Sequence, residues 1–252
     1  MARRLSAGTA AVCCATAAAA GDPPQTEVGL SHGRETISTH PAAWSDSQLQ
    51  VLHRFAPHKM MFGRATSSER FGLHDNTLAL GGVHPLGERS SGYVEVSASD
   101  THRVLPRHSM HVQLAQSLSH GWGVLGGLKH VAYNTTAVDV GELTVERYFT
   151  HYRAAFSAYP SQSSTAGSAA SYRLQLSRYY GEENNVQILY ATGTEVDRPT
   201  TADSIVTASI RSVALFGRHW MTRDWALSYS VARTALGDSR RQAAVLGLHY
   251  RF

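Results

Sequence analysis

Cysteine is nearly absent from this chain of 252 residues: the only two, Cys13 and Cys14, are neighbours close to the N-terminus. A disulfide framework needs cysteines spread along the chain, so that class is excluded. Charge is also scarce, at 17% of residues, with Lys+Arg 23 against Asp+Glu 19. A balance this small lacks the clustered positive charge of a nucleic-acid binder, so no nucleic acid is expected as a partner. Glycine-rich phosphate loops, HExxH and GxSxG motifs are missing as well. After the first residues, no apolar run approaches the eighteen or so that a spanning helix requires. A chain that enters a membrane under these constraints does so with strands.

The first twenty residues stand apart. Arg3 and Arg4 are followed by an uncharged stretch of small and apolar residues ending in Ala18-Ala19-Ala20 before Gly21. A basic start, an apolar middle and small residues at the cleavage site make a secretory signal peptide over 1–20. Its removal leaves one domain, 21–252, with no cysteine and a net charge of +2.

What remains alternates. Tyr172, Leu174, Leu176 and Tyr180 fall on one face of a strand, and Arg173, Gln175, Ser177 and Tyr179 on the other. Met110, Val112 and Leu114 alternate with Ser109, His111 and Gln113; Trp225, Leu227, Tyr229 and Val231 alternate with small and hydroxyl residues. Period two means strands with one apolar and one polar wall, and the fold class is all-β. A soluble sandwich puts the apolar wall inside, whereas a membrane barrel turns it to lipid.

Three features choose the antiparallel up-and-down transmembrane barrel. The chain ends on an amphipathic strand in which Leu248, Tyr250 and the terminal Phe252 share a face, the pattern of an outer-membrane insertion signal. Aromatics cluster near strand ends, and Trp122, Tyr133, Tyr180, Trp220 and Trp225 are expected in two interfacial girdles. The connections alternate in length: long at 36–46, 68–75, 100–107, 134–142, 160–170, 195–203 and 234–241, short at 56–58, 85–91, 119–121, 150–151, 181–184 and 221–224. This holds only if the run 143–159 breaks near Thr150-His151, giving fourteen strands, with twelve as the alternative. Long loops outside and short turns beneath place both termini in the periplasm of a Gram-negative cell envelope.

Several stretches, in order, carry a resemblance: Glu69-Arg70-Phe71-Gly72, DTHRVLP at 100–106, LTVERYF at 143–149, RLQLS at 173–177, FGRHWMTRDWALSY at 216–229, and Tyr250-Arg251-Phe252. Spanning roughly residues 60–252, they resemble the YaiO-like outer-membrane β-barrel family. The resemblance implies an outer-membrane barrel and suggests at most a link to surface polysaccharide. The partners expected are outer-membrane lipid and lipopolysaccharide, the insertion machinery and periplasmic chaperones during assembly, and a surface polysaccharide.

Arg54, Glu95, His111, Lys129, Glu146, Arg173, Arg211 and Arg251 fall on the polar wall by parity and are expected in the lumen, since an arginine at the lipid midplane costs about 2–4 kcal/mol. There they form ion pairs that fill the interior or line a narrow path. Arg147, Arg178 and Arg218 break parity near strand ends, where snorkelling relieves them. Ser109 and His111 share a face as a conceivable nucleophile and base, without a carboxylate at their depth to orient the histidine. His108 and His111 lie on opposite faces, so no metal site and no cofactor is expected. The leading function is a structural or passive-transport barrel, serving surface-polysaccharide export; the second is a surface-interaction protein binding a partner or glycan through long external loops; the third is a membrane-embedded lipid hydrolase or acyltransferase.

Overall fold

The computed structural model describes residues 24–181, 183–197 and 206–252. The expected signal peptide, 1–20, lies outside them. Fourteen strands follow one another: β1 Gln25–Ile37, β2 His40–Ala56, β3 Lys59–Arg70, β4 Leu73–Pro85, β5 Ser90–Ser99, β6 His108–Ser117, β7 Trp122–Ala132, β8 Ala137–Phe149, β9 Tyr152–Ser163, β10 Gly167–Tyr180, β11 Asn184–Asp197, β12 Val206–Trp220, β13 Trp225–Leu236 and β14 Ser239–Arg251. Each pairs antiparallel with its sequence neighbours, and β1 pairs with β14 to close the barrel. Closure leaves no strand edge, the condition for crossing lipid with sheet. The last residue takes part, since Thr26 and Phe252 exchange backbone hydrogen bonds of 3.2 and 3.0 Å. Among the described residues no helix is long and apolar enough to cross a membrane.

The run 143–159 breaks at Thr150-His151, between β8 and β9, and the run that ends at Trp220 continues unbroken as β12. Connection lengths depart from expectation. One rim, here the terminal rim, carries both chain ends and the turns 57–58, 86–89, 118–121, 150–151, 181–183 and 221–224. At the opposite, distal rim, strands meet at 38–39, 71–72, 133–136, 164–166 and 237–238. Most connections read as long loops are therefore tight hairpins on longer strands; among described distal connections only 100–107 is long. The reason is physical. Above the apolar belt both walls face polar surroundings, so the period-two signal disappears while the ladder continues. At Phe71-Gly72 both residues are left-handed, with φ of 54° and 73°, as a two-residue type I′ hairpin demands. Phe71 tolerates this while its ring packs edge-on against Trp44 at 5.0 Å.

Exposure reads out the two walls. On β10, Leu174 is 57% exposed, whereas Ser177 and Ser171 are buried. The outer belt includes Leu30, Leu49, Leu78, Val94, Val112, Leu128, Leu143, Ile188, Val213, Val231 and Leu246. Leu248, Tyr250 and Phe252 lie on this outer wall, with Tyr250 tilted against Trp225 at 4.8 Å and stacked on Phe252 at 5.9 Å. Trp122, Tyr180 and Trp225 face outward beside the terminal rim. Two members expected in the girdles do not. Tyr133 is buried in the turn after β7 against Val131, Val138, Ala169 and Val196. Trp220 shares the inward parity of Arg218 on β12 and lies beneath the Arg251 guanidinium at 3.9 Å. Of the five, only the three beside the terminal rim face outward. Parity fails in a turn such as that of Tyr133, and at Trp220 the polar and apolar faces no longer differ in composition.

Candidate functional site: the barrel interior

Inward parity brings Arg54, Glu95, His111, Lys129, Glu146, Arg173 and Arg251 to the inner wall. Arg211 is not among them. It alternates with the buried Ile210 and Ser212 and faces outward. It sits above the belt, beyond Val213, where an outward arginine meets no hydrocarbon; the parity argument assumed a lipid depth that the extended strand does not have. Arg147 and Arg178 also face outward near the terminal rim, Arg147 over the rings of Trp122 and Phe149 at 5.1 and 4.7 Å. Arg218, expected to snorkel, turns inward.

The middle of the inner wall carries one connected polar belt. Arg64 on β3 pairs with Glu95 on β5, which also accepts the Tyr93 hydroxyl at 2.7 Å. The Tyr93 ring meets His111 edge-on at 5.3 Å. His111, 3% exposed, has its Nε2 3.3 Å from Glu142 on β8. Glu142 accepts from Gln113 Nε2 at 2.7 Å and from the Tyr159 hydroxyl at 3.1 Å. Tyr159 underlies the Arg173 guanidinium at 4.6 Å, Arg173 lies 3.8 Å from Glu195, and Ser171 donates to Glu195 at 2.9 Å. The side-chain contacts thereby run from β3 to β11, passing over β4 and β7. Lys129 sits beside His111 in register on β7. Charges this buried need partners, and the ladder supplies them from adjacent or next-adjacent strands.

Each rim has its own closure. At the distal rim, Asp75, fully buried on β4, accepts the backbone N–H groups of Val104 and Leu105 at 2.6 and 2.9 Å and the Thr101 hydroxyl. Arg103 reaches the His74 carbonyl at 2.6 Å. The loop 100–107 is therefore drawn back onto the inner wall, with Val104 and Leu105 buried. At its start, the Asn76 backbone N–H, then the Asn76 side chain and the Thr101 N–H, hold the Asp100 carboxyl below the usual carboxylate range. Nearby, Arg70 and Arg241 lie over the buried Trp44 ring at 5.0 and 5.3 Å. At the terminal rim, Glu183 in the β10–β11 turn meets Arg251 of β14 at 3.0 Å and Arg54 of β2 at 3.8 Å. These residues span much of the barrel circumference. Glu27 joins Arg218 at 2.5 Å and His249 at 3.0 Å, and Glu146 joins Arg153 at 2.5 Å.

The interior also holds apolar clusters that the alternation does not announce: Leu189, Ala191, Ala214 and Phe216, and separately Phe62, Val83 and Tyr93. The Ser109 hydroxyl bonds to Ser97 at 2.8 Å, across the ladder from β5. A carboxylate does stand at the depth of His111. It is Glu142, assigned from sequence to a loop yet placed on β8. Continuing the parity of Glu146 and Thr144 by one step would have found it. His108 faces outward and His111 inward, and no group of three metal-binding side chains occurs among the described residues.

Solved structures with the same architecture include a bacterial polysaccharide outer membrane secretin (TM-score 0.55, 9% identity, covering 91% of this chain and 98% of that one). The CymD monoaromatic hydrocarbon channel gives 0.54 and 9%, over 91% and 88%. The Acinetobacter baumannii outer membrane protein Omp33 gives 0.53 and 12%, over 90% and 99%. Identities this low establish shared fold and nothing finer. No curated protein matches the chain in sequence. A family profile does, over residues 25–198, and with the closed barrel around it this is decisive: the chain belongs to the YaiO membrane beta barrel domain family.

Proposed function

We propose that this outer-membrane barrel is a narrow, charge-lined conduit for small polar solutes, held nearly shut at its two mouths, with both termini in the periplasm. The observation that carries this reading is the double inward closure: the 100–107 loop pinned by Asp75 at one rim, and the Glu183 turn clasped by Arg54 and Arg251 at the other. A purely structural barrel needs neither. Between the mouths, paired charges of both signs present hydrogen-bonding groups while cancelling one another's long-range field, which suits small neutral or zwitterionic solutes better than ions of one sign. A role in polysaccharide export is not required by this geometry, and the secretin likeness reaches only the fold. The hydrolase reading loses support because Ser109 is engaged by Ser97 and lies inside the barrel, away from lipid esters. The external-loop reading loses support because most distal connections are tight hairpins and the long described one turns inward.

Planar-bilayer recording tests the proposal. The wild-type protein gives small, infrequent openings, and Glu183→Ala, which releases Arg54 and Arg251, raises open probability several-fold. Silence in both proteins overturns the conduit reading.

A further inference from the structure

The outer wall above the belt is asymmetric in charge. Across β12, β13, β14 and β1 it carries Arg211, Arg233, Arg240 and Arg34, all exposed, and none of their guanidinium groups forms an ion pair among the described residues. The outward positions of these four strands include no acidic residue. Beyond these four strands the outer wall carries acidic residues instead: Glu69 on β3, two strands from Arg34 through Ser45, Asp100 at the end of β5 and Asp139 on β8.

Register gathers the arginines. Ala235 pairs with Arg211 on one side and Arg240 on the other, so these two flank a methyl group across about 10 Å of sheet. Arg233 lies two residues below Ala235 on the same face, and Arg34 pairs with Ala244 on the strand beyond. Three arginines around one small side chain form a notch with a basic rim; Arg233 pairs with Val213, the first residue of the outer belt, which continues beneath at Val231 and Leu215. No two of these arginines stand directly opposite one another, and as diagonal or next-strand neighbours they are within reach of one anion placed between them. Guanidinium forks match phosphate oxygens in shape and charge.

We propose that this face binds the phosphate groups of an anionic glycolipid of the outer leaflet, lipopolysaccharide, whose acyl chains lie on the apolar belt below. The arginines hold the phosphates at the level where hydrocarbon gives way to headgroup. The site is on the outside of the barrel and does not depend on whether the lumen conducts.

The test uses the full-length mature protein in nanodiscs, titrated with bisphosphorylated lipid A, with dephosphorylated lipid A and with phosphatidylglycerol, and bound lipid is counted by native mass spectrometry. Bisphosphorylated lipid A is retained preferentially. Arg211→Gln weakens retention about fivefold, and changing all four arginines to glutamine weakens it by two orders of magnitude or more. Heat-modifiable gel mobility and conductance stay as in wild type, which shows an assembled barrel; the single exposed substitution keeps the test open if the fourfold variant misassembles. Equal retention of dephosphorylated lipid A, or unchanged binding by an assembled variant, overturns the proposal. Phosphatidylglycerol binding as well as lipid A overturns the glycolipid assignment.

Discussion

The two walls of this barrel are built from alternate residues of the same strands, yet they treat charge in opposite ways. Inside, the described carboxylates of the central belt are paired: Glu95 with Arg64, Glu142 with His111, Glu195 with Arg173. Outside, Arg211, Arg233, Arg240 and Arg34 stand exposed without ion-pair partners among the described residues, on a wall that is otherwise apolar in the belt. The difference teaches that burial among side chains demands pairing, whereas a wall facing membrane and headgroups leaves its charges free to pair with something else.

The largest effect is expected from breaking the inner rule. Glu95→Ala strands Arg64 inside the wall and lowers stability by about 3–5 kcal/mol, measured as a shift in the urea midpoint of the barrel folded in vesicles. A stability unchanged within error would show that lumen water already solvates the pair. Breaking the outer rule comes next. Leu174→Arg puts a charge on the lipid face and costs about 2–4 kcal/mol, while Gln175→Arg, one residue away on the inner wall, costs far less. Comparable losses for both would refute the assignment of the walls.

A smaller change sharpens the comparison where backbone rather than side chain decides. At Gly193, φ is 124° and an added Cβ would stand 2.4 Å from the Ala170 carbonyl oxygen. Gly193→Ala therefore forces the β10–β11 ladder to shift, with a loss of about 1–3 kcal/mol in the same assay. The smallest effect concerns pH. Because the Asp100 carboxyl is held low by Asn76 and Thr101, its help in anchoring the 100–107 loop is complete above the unfolded carboxylate range, about pH 4, and fades as pH falls toward the depressed pKa. Hydrogen-exchange protection of Val104 and Leu105, taken relative to the intrinsic rate at each pH, should hold steady from pH 7 to 5 and fall only in strong acid. Asp100→Asn should lessen the acid dependence, and what remains belongs to Asp75, which accepts both N–H groups directly.

Legibility from sequence followed the belt. Where one wall meets lipid and the other does not, as in 172–180 or 246–252, alternation placed strand and face together, and fourteen strands could be counted once the break at Thr150-His151 was allowed. Above the belt the contrast between the walls vanishes, so 36–46 and 160–170 read as loops although they belong to hairpins, Glu142 was left off its strand, and Arg211 was placed on the wrong wall. Trp220 failed for a like lack of contrast at the terminal rim, and Tyr133 because it lies in a turn, where parity does not hold. Asp75 and Glu183, which close the two mouths, carried no local signal, because their partners are distant in sequence: Leu105 lies thirty residues from Asp75, and Arg251 sixty-eight from Glu183.

By itself, the sequence determined that this chain makes an antiparallel barrel with an apolar exterior, because the side-chain period of a strand gives each one an apolar wall, and the terminal strand ending in Phe252 together with aromatics near strand ends turns that wall to lipid. Only the tertiary structure decided which charges meet, where the interior turns apolar, and that loop and turn fold inward over the mouths. Those outcomes depend on the stagger of fourteen strands around a ring, and stagger is set by closure of the whole sheet rather than by any segment of it.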